Sequence, residues 1–294
     1  MSDSNPTERK RGTRIRSFLR TMWAHPGLLA GFIIISILMI VSLAVFISGL
    51  FGARITPYDP IKLFVGPDLA PPSWSHLFGT DTLGRDLFSE VISAMPTDMG
   101  VSVAVVTVAV VVGSSIGAFA AYFGGMFDEA LMRVTDVFFA LPVLVLAIVI
   151  SVILGPGIVN MMFVLMIVWW PTYARLARGE TLKIIHQNFV EAARLSGLGR
   201  VRIVFRHVFP NMIYILLVYA TLDVGTIVLV YAGLSYLGLA VTPPHVDWGQ
   251  MVNLYQDDLL SAPWLPLFPG LTIAVSVVGF SLLGDGLRDA LEVR

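Results

Sequence analysis

Long uninterrupted runs of apolar residues dominate the chain, and polar residues collect in the stretches between them. A helix that crosses the hydrocarbon core of a bilayer needs about 20 mostly apolar residues, and six runs reach or approach that length. They are Leu28–Phe51, Val101–Phe123, Val134–Leu154, Ile158–Tyr173, Ile213–Val241 and Leu265–Leu283. The pattern therefore predicts an all-α membrane protein with six transmembrane helices.

The composition supports a membrane protein and excludes several other classes. The 294 residues are 56% hydrophobic and only 13% charged, whereas soluble domains carry about 25% charged residues. An ordinary soluble enzyme, a disordered chain and a nucleic-acid binder with a basic face are therefore excluded. The absence of cysteine from the sequence excludes a disulfide framework, thiolate-ligated zinc, iron–sulfur clusters and cysteine nucleophiles.

The distribution of positive charge predicts the orientation of the helices. Sixteen of the 19 Lys and Arg residues fall on one side of the predicted spans, and three (Arg54, Lys62 and Arg85) fall on the other. Cytoplasmic loops are the ones enriched in Lys and Arg, so both termini are expected in the cytoplasm. The first apolar run has 24 residues, longer than the 7–15 of a signal peptide, and is interpreted as a retained anchor.

These expectations divide the chain into five regions. They are a basic cytoplasmic N-terminus (1–27), a first transmembrane anchor (28–51), an external loop (52–100), a core of five helices (101–284) that includes a cytoplasmic loop (174–212), and a cytoplasmic tail (285–294).

The external loop is rich in proline and is predicted to be an ordered cap or arm rather than a helix. Within it, Thr80 is placed to cap a turn, and Asp81, Arg85 and Asp86 are placed to form local ion pairs. A structural turn is the simpler interpretation of this cluster, and an external functional motif is the alternative.

The cytoplasmic loop is predicted to form two amphipathic helices joined by a turn. Apolar residues recur at three- and four-residue steps up to Ala193, and Gly197 and Gly199 then break the pattern. A second apolar set follows and ends at Pro210. The apolar stripe has two interpretations: it packs beneath the protein's own helices or in the lipid interface, or it docks a cytoplasmic partner.

The loop also carries a family motif. Glu191-Ala192-Ala193, three further residues and Gly197, with Phe209-Pro210 twelve positions after the glycine, resemble the EAA loop of ABC importer permeases. His207 and Phe209 stand where the general motif has isoleucine and leucine, and the string from Arg206 to Asn211 instead resembles the peptide-permease branch. Further similarities to that branch are Phe78-Gly79-Thr80-Asp81, Gly84-Arg85-Asp86, Leu234-Ser235-Tyr236-Leu237-Gly238-Leu239, Trp248-Gly249 and Leu283-Gly284-Asp285-Gly286.

The resemblance implies a type I ABC importer transmembrane-domain fold in the cell (inner or cytoplasmic) membrane. It identifies the chain as a second, C-type permease subunit of the dipeptide/oligopeptide and nickel transport family. The implied partners are a homologous permease, two ABC ATPase subunits and an extracytoplasmic solute-binding protein. Short peptides are the implied substrate, with oligosaccharides or nickel chelates as the alternative. The residues it assigns to the ATPase-coupling loop are Glu191, Ala192, Ala193, Gly197, Arg206, His207 and Pro210.

Nucleotide chemistry is expected on partner subunits. The chain has no Gly-Lys dipeptide, so it lacks the phosphate-binding loop Gly-x-x-x-x-Gly-Lys-Ser/Thr. We therefore expect no catalytic residue, metal or other cofactor in this chain, with ATP and Mg bound by the ATPases. Two departures from the family pattern are Pro96 and Tyr231, where many relatives have arginine and glutamate.

The predicted spans contain few charged residues. Asp223 lies about ten residues into the fifth span, where an aspartate costs roughly 2.5–3.5 kcal/mol on insertion scales. It is interpreted either as a pathway residue, together with Tyr231, or as a packing residue hydrogen-bonded near Thr221 or Thr226. Asp136 is expected to pair with Arg133.

Two other functional classes remain as rivals. An intramembrane enzyme is disfavoured because no histidine lies within a predicted span and neither Gly-x-Ser-x-Gly nor His-Glu-x-x-His occurs. An ion-coupled carrier or channel is compatible with one mid-span acid, but we find no inverted internal repeat of the kind many carriers have.

Overall fold

The computed structural model describes residues 26–241 and 247–292. Within these residues the regular structure is helical, and one isolated antiparallel bridge joins Thr80 to Asp86. The helices are α1 (Pro26–Leu50), α2 (Leu87–Phe123), α3 (Gly125–Phe139), α4 (Val143–Leu154), α5 (Ile158–Ile184), α6 (Asn188–Leu195), α7 (Arg200–Ile203), a π-helical turn (Val204–Val208), α8 (Phe209–Tyr236), α9 (Trp248–Leu254), a 3₁₀ turn (Gln256–Asp258) and α10 (Trp264–Glu292). The predicted basic N-terminus lies outside the described residues up to residue 25, and so does the end of the tail, 293–294.

The described helices are long and apolar enough to cross a membrane five times, or six times if one bent pair counts as a span. The five are α1, α2, α5, the continuous stretch Arg200–Tyr236 and α10. Their outward faces carry large apolar side chains, for example Ile40 and Val111, which are 66% and 59% exposed. Exposed apolar surface of this kind requires lipid or protein to cover it, so the all-α membrane class is confirmed.

The second span begins earlier than predicted. Helix α2 starts at Leu87 rather than at residue 101, so the last part of the predicted external loop is helical and the expectation of a non-helical arm is wrong there. The cause is an N-cap: the carboxylate of Asp86 accepts hydrogen bonds from the backbone N–H of Ser89 at 2.9 Å and from its hydroxyl at 2.6 Å. Pro96 lies inside the helix without ending it.

The stretch predicted as the third span is two helices rather than one. Helices α3 and α4 meet at an angle of 88°, within the stretch predicted as one helix, Val134–Leu154. Pro142 follows the end of α3 and explains the break, because proline has no N–H to donate and disfavours helical backbone at the residue before it.

The predicted cytoplasmic loop 174–212 is shorter in the structure. Helix α5 continues to Ile184, beyond the predicted end of the fourth span at Tyr173. The second helix of the loop was expected to end at Pro210. This expectation is also wrong, because α7, the π turn and α8 form one continuous stretch. Pro210 lies at the first positions of α8, where the missing N–H is tolerated, and the preceding π turn absorbs the change in register.

Helix α2 packs most extensively against α5, and small residues make this contact possible. A Cβ atom added at Gly117 would lie 2.0 Å from the carbonyl oxygen of Ala174, and one added at Gly113 would lie 2.3 Å from that of Trp170. Gly113 and Gly117 thus form a helix-packing surface of small residues four positions apart. Helix α10 packs on α8 and α1 and completes the bundle.

The bundle has two chemically different ends. Helix α2 has 37 residues and is therefore about 55 Å long at 1.5 Å per residue. Its first residue follows Asp86, and its last residues, Tyr122 and Phe123, lie beside arginines of the loop after α5. We call the part formed by residues 52–86 and 247–263 the acidic end, and the part formed by residues 185–208 the basic end.

Candidate functional site

Helix α6 contains the Glu-Ala-Ala motif at the basic end and ends in a left-handed glycine. Gly197 has a φ of +74°, as predicted, and its N–H bonds to the carbonyl of Arg194 at 3.0 Å while that of Leu198 bonds to Ala193 at 3.3 Å. This pair of bonds closes the helix as a Schellman motif. Gly199 has a φ of −63°, so of the two glycines that break the pattern Gly197 is the left-handed one.

The two faces of α6 differ in what they contact. Val190 and Ala193 are buried in the same apolar cluster as Val208, so one face packs against the chain itself. The expectation that both alanines permit close approach of a partner is therefore corrected for Ala193. Ala192 and Glu191 are exposed, and Leu195 is 85% exposed, which leaves an apolar side chain on the outward face.

The remaining loop residues of the motif lie along the stretch that follows. Arg206 is exposed within the π turn, and His207 is half-buried with its ring centroid 6.3 Å from that of Phe189. Pro210 is exposed in the first turn of α8. The motif therefore covers one continuous surface of the basic end rather than a cavity.

Asp223 is tied to a neighbouring helix. Its carboxylate accepts a hydrogen bond from the indole N–H of Trp169 at 3.1 Å, which links α8 to α5. Thr221 and Thr226 bond to carbonyls of their own helix, so the expected threonine partners are wrong. Asp223 is only partly buried, and the pathway role stays a prediction.

Two arginines near the end of α5, Arg175 and Arg178, pair with acids of α3. Arg175 contacts Asp136 at 2.7 Å, so the predicted partner of Asp136, Arg133, is wrong. Arg178 forms two hydrogen bonds of 2.7 Å to the two carboxylate oxygens of Asp128. These pairs join α5 to α3, which sequence spacing does not reveal because the partners are about 40 to 50 residues apart.

The acidic end contains the predicted Asp/Arg/Asp cluster, in which Asp81 and Arg85 form the expected ion pair and Asp86 does not pair with Arg85. Arg85 contacts Asp81 at 2.7 Å and Glu90 at 2.9 Å. The hydroxyl of Tyr255 donates to Glu90 at 2.9 Å. Burial by itself would lower the pKa of Arg85, but the neighbouring carboxylates, Glu90 foremost, raise it above its ordinary value. Asp86, the other motif acid, contacts His76 at 2.9 Å.

The Leu-Ser-Tyr-Leu-Gly and Trp-Gly motifs meet at this end. The hydroxyl of Ser235, at the end of α8, hydrogen-bonds to Asp247 at 2.6 Å, and Asp247 caps α9 through the N–H of Gln250 at 2.8 Å. Trp248 is fully buried and donates its indole N–H to the carbonyl of Val91 at 2.9 Å. Sequence reasoning singled out Trp248 by resemblance but missed Asp247.

Tyr231 and Asp98 lie fully buried beside this junction. Tyr231 therefore lies inside the subunit rather than on an exposed face, and its role in a pathway stays a prediction. Burial raises the pKa of Asp247, an effect that the hydrogen bonds from Ser235 and Gln250 partly oppose. Among the described residues, no group of three or more His, Cys, Asp or Glu side chains is arranged to hold a metal ion.

Comparisons with known proteins place these motifs in one family. Residues 109–294, more than half of the chain, match the family described as binding-protein-dependent transport system inner membrane component. The chain belongs to this family. It is thus the permease component of a binding-protein-dependent ABC importer.

Individual relatives agree with this assignment. The chain is 39% identical, over 83% of its length and 81% of theirs, to the glutathione transport system permease proteins GsiD of Escherichia coli O6:K15:H31 and Shigella boydii serotype 4. Among solved structures, the MetNI methionine ABC transporter in an inward-facing conformation matches with a TM-score of 0.58 and 18% identity, over 71% of this chain and 98% of that one. This likeness shows a type I importer fold.

Proposed function

We propose that this permease component couples to ATP hydrolysis through helix α6. In this proposal the basic end faces the cytoplasm, both termini are cytoplasmic, and the bent α3–α4 pair completes six spans. Two ABC ATPase subunits bind beneath the chain and a homologous permease, and they hold the ATP and Mg. An extracytoplasmic solute-binding protein delivers the substrate at the acidic end.

The observation that carries the proposal is the two-faced packing of α6. Val190 and Ala193 hold the helix against the bundle, while Leu195 is 85% exposed. We infer that a protein partner covers Leu195, because the same helix contains the Glu191-Ala192-Ala193 motif that resembles the ATPase-coupling loop of ABC importer permeases. Movement of that partner would reach α8 directly, since the stretch from α7 to α8 is continuous.

Coupling requires that ATP bind the two conformations of the complex with different affinity. The stretch from α7 to α8 is continuous, and ion pairs join α5 to α3. We therefore expect these helices to move together, so that displacement of α6 at the basic end would shift helices across the bilayer. This is how the chain would contribute to transport without a nucleotide site of its own.

Short peptides are the proposed substrate class. The support is the 39% identity to permeases whose name states that they transport glutathione, which is itself a tripeptide. Oligosaccharides and nickel chelates are the competing substrate classes. Uptake of radiolabelled glutathione, a dipeptide, an oligosaccharide and a nickel chelate by vesicles containing the whole complex distinguishes them, and peptide-independent uptake of either competitor would contradict the proposal.

The coupling role is tested with Leu195→Glu in the whole complex. We expect normal insertion, because the side chain contacts little of its own chain, together with loss of ATPase subunits on purification and loss of ATP-driven uptake. Leu260→Glu is the matched control, since Leu260 is 99% exposed at the acidic end and should leave ATPase binding unchanged. Full ATPase binding and uptake by Leu195→Glu would refute the proposal.

A further inference from the structure

The arginines of the basic end have no acidic partner in the described part of the chain, unlike two arginines of α5. Arg175 and Arg178 each contact an aspartate at 2.7 Å. Within residues 26–241 and 247–292, by contrast, no carboxylate oxygen lies within the 4.0 Å of a salt bridge to Arg194 or Arg200. Their charges are therefore available to a ligand.

Both arginines line one pocket of about 440 Å³ between the end of α2 and the loop. The guanidinium carbon of Arg194 lies 5.3 Å from the ring centroid of Tyr122, and that of Arg200 lies 6.0 Å from that of Phe123. Contacts with aromatic faces hold a guanidinium group in place without neutralising its charge. The pocket is therefore bordered by two fixed positive charges, with Leu198 and Ile203 completing its wall.

An exposed row of aromatic rings adjoins the pocket. The ring centroid of Phe119 lies 6.1 Å from that of Phe123 and 5.8 Å from that of Phe205, which in turn lies 5.5 Å from that of Phe209. Phe123 and Phe205 are 42% and 58% exposed. Tyrosine at the end of an apolar span marks the level of the lipid headgroups, and Tyr122 lines the pocket at the end of α2, so the pocket lies where headgroups are found.

We propose that this pocket binds the phosphate of an anionic phospholipid, whose acyl chains cover the rings of Phe123 and Phe205. Guanidinium groups bind phosphate oxygens through paired N–H donors, and basic pockets beside transmembrane helices suit anionic headgroups. A free phosphate ion would satisfy the arginines but leave the apolar rings uncovered. The charge and the adjoining apolar surface together fit an amphipathic anion.

Such a lipid would connect two parts of the chain. Arg194 belongs to α6 and Arg200 to α7, whereas Tyr122 and Phe123 end α2. A bound headgroup would hold α6 against the end of α2 and so limit its movement relative to the bilayer. The site itself does not require that α6 contact an ATPase.

The test is lipid binding to the purified full-length chain, with the partner subunits that remain attached, measured by native mass spectrometry. Phosphatidylglycerol and phosphatidylcholine with the same acyl chains are titrated separately, and inorganic phosphate is added as a competitor. Each arginine should contribute about fivefold to affinity for the anionic lipid. The double variant Arg194→Gln/Arg200→Gln should therefore bind phosphatidylglycerol about 25-fold more weakly.

Arg202→Gln is the matched control, because Arg202 is exposed on the same stretch but does not line the pocket, and its affinity should be unchanged. If the double variant does not fold, each single variant, Arg194→Gln or Arg200→Gln, should still bind phosphatidylglycerol about fivefold more weakly.

Five results would overturn the proposal. The first three are equal binding of the two lipids, unchanged phosphatidylglycerol affinity in the arginine variants, and an equal loss of affinity with Arg202→Gln. The fourth is displacement of the lipid by inorganic phosphate at the lipid's own concentration, which would indicate a site for the free anion. Loss of an ATPase subunit with lipid binding intact would likewise contradict it and assign the arginines to a protein contact.

Discussion

The contact between α2 and α5 leaves no room for a methyl group at Gly117, and this makes Gly117→Ala the sharpest test of the packing. The added Cβ would lie 2.0 Å from the carbonyl oxygen of Ala174, whereas ordinary contact begins near 3.4 Å. The helices would have to separate by about 1.4 Å at this point, because a backbone carbonyl cannot rotate away as a side chain does. Overpacking of this kind costs about 1–3 kcal/mol.

Alanine also gains about 1 kcal/mol over glycine within a helix. The clash opposes this gain. Because the clashing atom belongs to the backbone, we expect an overpacking cost of about 3 kcal/mol, at the top of the range. The variant should therefore lose about 2 kcal/mol of stability in total. Gly100→Ala is the matched control: Gly100 lies in the same helix with nothing within 4 Å of an added Cβ. That variant should be more stable than the parent by up to about 1 kcal/mol.

The assay is reversible unfolding of the full chain in mixed micelles with increasing fractions of denaturing detergent. The two alanine variants should differ by about 3 kcal/mol in free energy of unfolding. If Gly117→Ala were as stable as Gly100→Ala, the close approach of α2 and α5 would be wrong.

Three further predictions concern polar contacts and use the same unfolding assay. Asp86→Ala should cost about 1–2 kcal/mol because it removes the N-cap of α2, and an unchanged stability would show that the cap is not formed. The pKa of Asp247 is raised by burial, so the folded state binds its proton more tightly than the unfolded state; stability should fall as pH rises from the ordinary aspartate pKa through the raised value. Asp247→Asn should flatten that dependence, whereas Asp257→Asn at an exposed position should not; equal effects would contradict the assignment. Trp169→Phe should cost about 1–3 kcal/mol because it removes the indole N–H that donates to the carboxylate of Asp223, and adding Asp223→Leu should recover most of the loss; a double variant no better than the single one would refute this.

Apolar run length was enough to predict the helical class and the approximate positions of the spans, because a bilayer imposes a minimum length on each. The predicted helix boundaries were less accurate where a capping side chain or a π turn extends a helix beyond its apolar run. Asp86 caps α2, which begins fourteen residues before residue 101, and a π turn precedes Pro210 at the start of α8. Neither effect changes the hydropathy pattern, so hydropathy cannot reveal it.

The loop motif predicted the left-handed backbone at Gly197, since glycine after an amphipathic helix is the usual way to end it. It did not predict which alanine faces inward, because residues 192 and 193 are adjacent and a helix turns by about 100° between them. The ion pairs of Arg175 and Arg178 were also missed. Their partners lie on another helix, and the 88° bend between α3 and α4 determines where that helix lies.

The central claim is that the exposed face of α6 contacts an ATPase subunit, and site-specific cross-linking tests it most directly. The chain contains no cysteine, so a single cysteine introduced at Leu195 gives one defined attachment point in the whole complex. We predict a cross-link from this position to a nucleotide-hydrolysing subunit, and none to that subunit from a cysteine at Leu260. A cross-link from Leu260 to the ATPase, or none from Leu195 in a complex that still hydrolyses ATP, would contradict the account.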